Sequence, residues 1–415
     1  MNTLGERIRK LRKEKGLTLE GLAGKELTKG MLSLIENNKA NPSMESLTYI
    51  AGRLGVDVSS LLEEVNSQEL REVLKEAEKL FNTDYTDLRD EHRQLIKLVQ
   101  PYVPKLTQGY ESARLLEMYS DCLYFENLDG WQELSDRAAI IYEKLNLSGR
   151  RAAIGIFRAM VKFTEHDYAE SLKIFLKERA EIESNYVYID PMTRVDFDYN
   201  EAILYFAVGD YDSAYTVMES AIDYSIENRI FYRIDDLYRL AAGYAMVARD
   251  EEKRMYYLNK LKLYMEFTGD TFSKLSYEIM NIENLIMNDR NYEKAIEMID
   301  HHLRTFDTNA IEKFGTWFFL TKGIALYKLG HIEDAVECLN KVHIPSAIHH
   351  PIDLTSFYVV DAYKGLCYLE LGSLKKAYET AENAVNKINS LPPNLYTEFI
   401  YNTYEKIKKV FEVDE

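Results

Sequence analysis

The amino-acid sequence predicts an all-α protein: a small N-terminal domain of five helices, then a right-handed superhelical array of about eight helix pairs. Apolar residues recur at helical spacing through most of the chain. Glycine and proline number only 19 and 8 in 415 residues, too few for strands joined by tight turns. Beyond the N-terminal region, similar segments return roughly every 40 residues, which indicates helical repeats.

The charge of the chain is unevenly distributed. Residues 1–62 contain ten Lys and Arg against seven Asp and Glu, a net +3, whereas the whole chain carries −17, which leaves −20 for the rest. Only the N-terminal region is therefore suited to bind phosphate.

The three cysteines are far apart, the N-terminus lacks the apolar core of a signal peptide, and no run of 18 apolar residues occurs. We therefore expect a cytoplasmic protein with no membrane partner.

Five short apolar stripes divide residues 4–62 into five predicted helices. Gly16 follows the first stripe, where a glycine is suited to end a helix. Thr18, Thr28, Ser43 and Ser59 precede the next four, and their hydroxyl oxygens can cap helix N-termini. A region of about 60 residues is just large enough to close a core of its own.

The segment from Leu32 to Val56, LSLIENNKANPSMESLTYIAGRLGV, carries a motif. It resembles the helix-turn-helix domain of the Cro/repressor type, in which a recognition helix ends in I-E-N-x-K and is followed by x-P-S and a fourth helix. The matching residues are Glu36, Asn37, Lys39, Asn41, Pro42 and Ser43. The resemblance implies that this domain binds double-stranded DNA with its third helix in the major groove.

The candidate DNA contacts follow from that resemblance. Because Leu32 and Ile35 are predicted to face the core, the stripe of Lys29, Gly30 and Ser33 would face the DNA. Lys29 would donate to guanine O6 and N7, Ser33 could meet several bases, and Gly30 would let the backbone approach closely. The full candidate set is Thr18, Thr28, Lys29, Gly30, Ser33, Asn37, Lys39 and Asn41, of which Lys39 and Asn41 would touch phosphate. The preceding loop, residues 23–28, departs from the family pattern in being about one residue shorter.

The second region contains internal repeats. The segments KGIALYKLGHIEDAVECLNKV from Lys322 and KGLCYLELGSLKKAYETAENAV from Lys364 align with an offset of 42 residues. Each has a small residue in its first helix (Gly323, Gly365), a turn glycine (Gly330, Gly372) and an alanine in its second helix (Ala335, Ala377). Weaker copies are centred on residues 126–134, 164–171, 206–214 and 287–295, with a degenerate copy near 249–255.

These segments resemble tetratricopeptide repeats with longer helices. With an early degenerate unit around Tyr85, the array would hold about eight repeats, and the amphipathic segment 394–411 would close it. The sequence thus predicts four parts: residues 1–64 as the DNA-binding domain, 65–110 as a linker helix and first repeat, 111–393 as repeats, and 394–415 as a closing helix.

A repeat array of this kind has a concave groove lined by its first helices. Polar and aromatic residues predicted on those helices are candidate ligand contacts. An asparagine amide is apt because it can both donate to and accept from an extended peptide backbone. The candidates are Tyr199, Asn200, Arg239, Asn281, Asn284 and Trp317.

The sequence offers no motif for catalysis, so we expect no enzyme activity, no metal and no cofactor. The pairs His301–His302 and His349–His350 are adjacent, so each pair points to different helix faces. Two imidazoles that share a metal on one helix are normally four residues apart.

The combination of a Cro-type head and long repeats resembles the peptide-sensing regulators of the Rap, Rgg, NprR, PlcR and PrgX family, and in length and repeat number it is most similar to the NprR branch. The family resemblance implies quorum sensing: capture of an imported signalling peptide by the groove, with a change in oligomer, dimer or tetramer, and in DNA binding. Two alternatives stay open. The array could instead bind and inhibit a response regulator of the sporulation phosphorelay, through helices that carry Gln68, Gln94 and Gln100, or the protein could be a peptide-independent repressor whose repeats only oligomerise.

Overall fold

The computed structural model describes residues 3–58, 61, 67–83, 90–305 and 308–414. Within these ranges the regular secondary structure consists of 21 α-helices and one 3₁₀ turn, Val103–Lys105. The prediction of an all-α protein is thereby confirmed. Across the same ranges, no helix is long and apolar enough to cross a membrane.

Four helices form the described part of the N-terminal domain, which we call the head: α1 (Leu4–Glu14), α2 (Leu19–Ala23), α3 (Lys29–Glu36) and α4 (Met44–Leu54). The predicted caps are confirmed, since the hydroxyl oxygens of Thr18, Thr28 and Ser43 accept backbone N–H groups at the starts of α2, α3 and α4. The predicted fifth helix, at Ser59, lies outside the described residues apart from Leu61. The head core contains Ile8, Leu22, Leu32, Ile35, Leu47, Ile50, Leu54 and Leu61.

The helices after the head form consecutive antiparallel pairs, as the repeat pattern predicts. In chain order they are α5 (Ser67–Phe81), α6 (Glu91–Val99), α7 (Tyr110–Phe125), α8 (Trp131–Lys144), α9 (Ser148–Thr164), α10 (Tyr168–Asn185), α11 (Pro191–Val208), α12 (Tyr211–Glu227), α13 (Ile234–Val247), α14 (Glu251–Thr268), α15 (Thr271–Met287), α16 (Tyr292–Thr305), α17 (Thr308–Lys328), α18 (Ile332–Leu339), α19 (Pro351–Glu370), α20 (Leu374–Ile388) and α21 (Leu395–Asp414). Each predicted turn, including the degenerate one near residue 250, falls between the two helices of a pair. Tyr85 lies outside the described residues.

The small residues of the repeat pattern permit close helix packing. A Cβ atom added at Gly323 of α17 would lie 2.7 Å from the side chain of Leu339 in α18. At Gly365 of α19, an added Cβ would lie 3.2 Å from the carbonyl oxygen of Ala377 in α20. Glycine at these positions therefore lets the two helices of each pair approach more closely than a larger residue would allow.

The chain divides into two compact units, residues 1–154 and 155–415, and the boundary falls inside α9. The four-part division expected from the sequence stays a prediction.

Within the second unit the array curls back on itself. The hydroxyl of Tyr168 donates to the carbonyl oxygen of His349 at 2.7 Å, and that of Tyr211 donates to Pro393 at 2.9 Å. These contacts join residues 181 and 182 positions apart, so early helix pairs of this unit contact segments that precede α19 and α21. The first helices α11, α13, α15, α17, α19 and α21 belong to this curled array.

Candidate nucleic-acid interface and repeat groove

A buried ion pair fixes α3 against α1. Glu36, the last residue of α3, is 2% exposed, and its carboxylate accepts hydrogen bonds from the guanidinium of Arg12 at 2.6 and 2.8 Å. Arg9 approaches the same carboxylate at 3.4 Å. The hydrogen bond to Glu36 raises the pKa of Arg12. Because a desolvated carboxylate is costly without cations around it, this pair sets the position of α3.

The same interface contains a close backbone approach. A Cβ atom at Gly5 would lie 2.2 Å from the carbonyl oxygen of Ile35, so α1 packs this closely only with a glycine there. The backbone N–H of Gly5 donates to the side-chain oxygen of Asn38 at 3.1 Å, and the Asn38 amide donates to the Thr3 hydroxyl at 2.6 Å. Asn38 has a φ of +57°, in the left-handed region that asparagine tolerates better than most residues. These bonds order the turn after α3.

The opposite face of α3 is open to solvent. Gly30 and Lys29 are both exposed, as the sequence predicts for a surface that meets DNA. The ammonium of Lys29 lies 2.9 Å from the carboxylate of Glu20, and both side chains are exposed. An exposed ion pair of this kind contributes little free energy, so a DNA phosphate or base can replace Glu20 as the partner of Lys29 at a small cost in free energy.

Asn37 and Ser33 lie at the end of the same helix. The Asn37 amide donates to the carbonyl oxygen of Ser33 at 2.7 Å, and its side-chain oxygen accepts a hydrogen bond from Arg9. Ser33 is half-buried, whereas Asn37 is exposed. Asn37 therefore supports the helix end as well as presenting a polar group to solvent.

The remaining candidates flank the helices. Thr18 and Thr28 are exposed, but their hydroxyl oxygens accept from the backbone N–H groups of Gly21 and Met31, so they act first as caps. Lys39 and Asn41 are exposed in the segment between α3 and α4. Contact of any of the eight candidates with DNA stays a prediction.

Sequence reasoning missed two features of the head. Met31 and Leu34 are 38% and 45% exposed on α3, although both are apolar. A helical projection could have found Leu34, because it lies one turn after Gly30 on the face away from Leu32 and Ile35. The burial of Glu36 could not be read from one sequence, because the motif gives its position and not its partner.

Titratable groups on four first helices share the interior of the second unit. Burial raises the pKa of Tyr199 on α11 and of Tyr396 on α21. Burial also raises the pKa of Glu283 on α15, to about 7. The carboxylate of Asp353 on α19 adds to all three shifts, so the four groups lie near one another. Asp353 is exposed, and the protein atoms around it raise the pKa of its own carboxyl. We call this surface the repeat groove.

Two neighbouring candidates on α11 differ in their surroundings. Tyr199 is half-buried, and the guanidinium of Arg233 lies 4.9 Å from the centroid of its ring. Asn200 is only 8% exposed, and its amide donates to the carbonyl oxygen of Asp196 on its own helix at 2.7 Å. Tyr199 thus belongs to the repeat groove, and a ligand could reach Asn200 only by displacing a bond within the helix.

Arg239 and Asn284 take part in polar networks. Arg239 is paired with Asp236 and stacks over the ring of Phe272 at 4.6 Å. The side-chain oxygen of Asn284 accepts a hydrogen bond from Arg254, which is 1% exposed. Asn284 therefore helps to hold a buried cation in place, a structural task that the sequence did not reveal.

Trp317 and Asn281 complete the candidate set. The ring of Trp317 meets that of Phe357 edge to face, with centroids 5.4 Å apart, and packs against the C-terminal core. Asn281 is half-buried on α15, two residues before Glu283. Recognition of a ligand by any of the six candidates stays a prediction.

The histidine pairs lie in different surroundings. His302 stacks on Phe318, while His349 lies 3.2 Å from His166 through their ring nitrogens. The ring of His350 caps α19 by accepting from the N–H of Ile352. Among the residues that the structure describes, no group of three His, Cys, Asp or Glu side chains is arranged to hold a metal ion.

Sequence comparison places the head in a known domain family. Residues 5–67 match the family described as a helix-turn-helix domain. The immunity repressor protein of Bacillus phage phi105 is 36% identical over 89 residues, 19% of this chain and 62% of that protein. The regulator SinR of Bacillus subtilis is 43% identical over 68 residues, 16% of this chain and 61% of SinR. DdrOP3 of Deinococcus deserti is 43% identical over 63 residues, 15% of this chain and 49% of that protein, so the chain spans about half to three fifths of these relatives.

Structural comparison finds solved structures with low sequence identity and low TM-scores to this chain. PlcR of Bacillus thuringiensis, in complex with the peptide PapR7 and DNA, is 17% identical with a TM-score of 0.31, over 65% of this chain and 99% of PlcR. ComR of Streptococcus vestibularis, in complex with the signalling peptide XIP, is 17% identical with a TM-score of 0.38, over 66% of this chain and 95% of ComR. All these scores lie below 0.5, and the sequence matches are confined to the head region. Residues 5–67 match the helix-turn-helix domain family, and an all-helical repeat array follows them.

Proposed function

We propose that this protein is a cytoplasmic transcription regulator whose head binds operator DNA and whose repeat groove binds a short signalling peptide. The observation that carries the DNA-binding part is the exposed outer face of α3, a helix that the Arg12–Glu36 pair joins to α1 in a region that matches the helix-turn-helix family. The head has the only net positive charge, +3 against −20, so phosphate would be attracted there.

One head of this size covers about one half-site, so we expect a dimer or larger oligomer on DNA. Two heads would then read half-sites whose centres lie about 34–36 Å apart or a multiple of that. Lys29 would contact a base, while Lys39 and Asn41 would contact phosphate and fix the register.

The peptide part of the proposal rests on the repeat groove and on the family resemblance of the sequence. Tyr199, Glu283 and Asp353 on three first helices, and Tyr396 on the closing helix α21, are close enough to influence one another's charge, which supports a shared polar surface inside the array. A surface of this kind, with polar groups from several repeats, suits an extended peptide better than a compact small molecule. A peptide would change DNA binding only if it bound two conformations or oligomers of the protein with unequal affinity.

The test uses the full-length chain. Random double-stranded DNA is selected for binding with and without a library of linear heptapeptides, and the oligomer is measured by light scattering. We expect enrichment of a paired half-site and a change in both enrichment and oligomer with peptide. Asn281→Ala should weaken the peptide response while sparing peptide-free DNA binding, and Asn402→Ala, an exposed asparagine on α21, is the matched control. Selection that enriches no sequence would refute the DNA-binding part, and an identical result with the library would refute the peptide part.

A further inference from the structure

The outer face of α3 carries an apolar patch in a position where the head otherwise presents polar groups. Met31 and Leu34, three residues apart on the helix, are 38% and 45% exposed. The apolar residues that stabilise the head on this helix are others, Leu32 and Ile35, which are fully buried. Met31 and Leu34 are therefore not needed to close the core.

The helix surface beside Leu34 is open. One turn earlier stands Gly30, and a Cβ atom added there would meet only the Thr28 hydroxyl, at 4.0 Å. One turn later the side chain of Asn37 is held by Arg9. Because Gly30 has no side chain, a binding partner can approach Leu34 across this part of the helix surface.

An apolar leucine side chain can contact only some of the groups on the base edges of the DNA major groove favourably. Leucine can neither donate nor accept a hydrogen bond, so it would desolvate the polar edges of guanine, cytosine or adenine without compensation. The C5 methyl of thymine is the one apolar group on the base edges of that groove. The favourable partner for an exposed leucine on this face is therefore a thymine methyl.

We propose that Leu34, with Met31 beside it, is a specificity-determining residue that selects thymine by contact with its C5 methyl. The inference rests on the proposed function, because it requires that α3 enters the major groove. It adds two residues that the sequence pattern did not indicate, and it accounts for their exposure.

The experiment removes the methyl group alone. In the DNA selected by the full-length protein, each thymine is replaced in turn by deoxyuridine, and affinity is measured at fixed salt. We expect an affinity loss of about fourfold at one or two positions, the ratio for burial of one methyl-sized group. Leu34→Ala should erase the difference between thymine and uracil there and should bind uracil DNA as the unaltered protein does, whereas Leu34→Met should keep most of the difference.

Met44→Ala is the control, because Met44 is also exposed, at 62%, but lies at the start of α4. It should leave the thymine preference unchanged. Specific binding with no uracil effect at any position, or a thymine preference that survives in Leu34→Ala, would overturn this inference alone. Failure to bind any DNA specifically would overturn the proposed function as well.

Discussion

Replacement of Glu36 by glutamine should loosen the head. The substitution keeps the shape of the side chain but removes the charge that the guanidinium of Arg12 meets at 2.6 and 2.8 Å. Loss of one partner of a buried pair costs about 3–5 kcal/mol, and we expect the lower end because a glutamine oxygen can still accept one hydrogen bond. A domain of this size has a free energy of unfolding of roughly 3–9 kcal/mol, so the change removes a large part of it.

Hydrogen exchange of the α3 amides, measured by mass spectrometry on the full-length protein, reports this loss locally. A decrease of about 3 kcal/mol corresponds to exchange roughly 100-fold faster. Glu20→Gln is the matched control, since it removes the exposed partner of Lys29 and should leave exchange nearly unchanged.

A double variant separates the charge from the packing. Arg12→Met with Glu36→Leu replaces the ion pair by apolar side chains, which is often neutral or stabilising. Exchange in this variant should return most of the way to the original rate. The reasoning fails if Glu36→Gln exchanges like the unaltered protein, or if the double variant exchanges faster than Glu36→Gln.

Three further predictions follow from the described contacts. Lys29→Ala should weaken binding to the selected DNA by about 1–3 kcal/mol at fixed salt without altering the circular dichroism of the protein; an unchanged affinity would exclude a base contact. Gly323→Ala should lower the free energy of unfolding, measured in urea, by about 1–3 kcal/mol, because the added Cβ would clash with the facing helix. Gly243→Ala, where no atom lies within 4 Å of the added Cβ, should be neutral or stabilising. Equal unfolding midpoints for the two variants would argue against close packing at Gly323. Burial raises the pKa of Glu283 from 4.5 to about 7, so its contribution to stability is fully present below pH 4.5 and is lost as pH rises through about 7; Glu283→Gln should therefore flatten the fall of unfolding midpoint between pH 5 and 8, and parallel profiles would contradict this burial.

The sequence was sufficient for the features that depend on local pattern. Caps such as Thr28, the turn glycines and the 42-residue offset of the last two repeats are read directly from residue type and spacing, and each is confirmed in the helix boundaries. The order of a helix-turn-helix head followed by repeats is confirmed for the same reason.

The groove could not be predicted residue by residue, because its shape depends on how successive helix pairs rotate. Asn200 and Asn284 are polar residues on first helices, as the pattern required, but one is buried against its own helix and the other holds Arg254. Conversely, Asp353 and Tyr396 lie near Glu283 although they are more than 60 residues away in sequence. Such proximity arises from the curl of the array, which no local periodicity encodes.

The central claim, that the head reads a specific operator as a dimer, is tested most directly by selection of random DNA with the full-length protein at physiological salt. The account predicts an enriched pseudo-palindrome whose half-site centres are separated by about 10–10.5 base pairs or a multiple of that. It also predicts that Lys29→Ala changes the preferred base at one position within each half-site. Enrichment of a single unpaired site bound by one protomer, or no enrichment above random sequence, would contradict it.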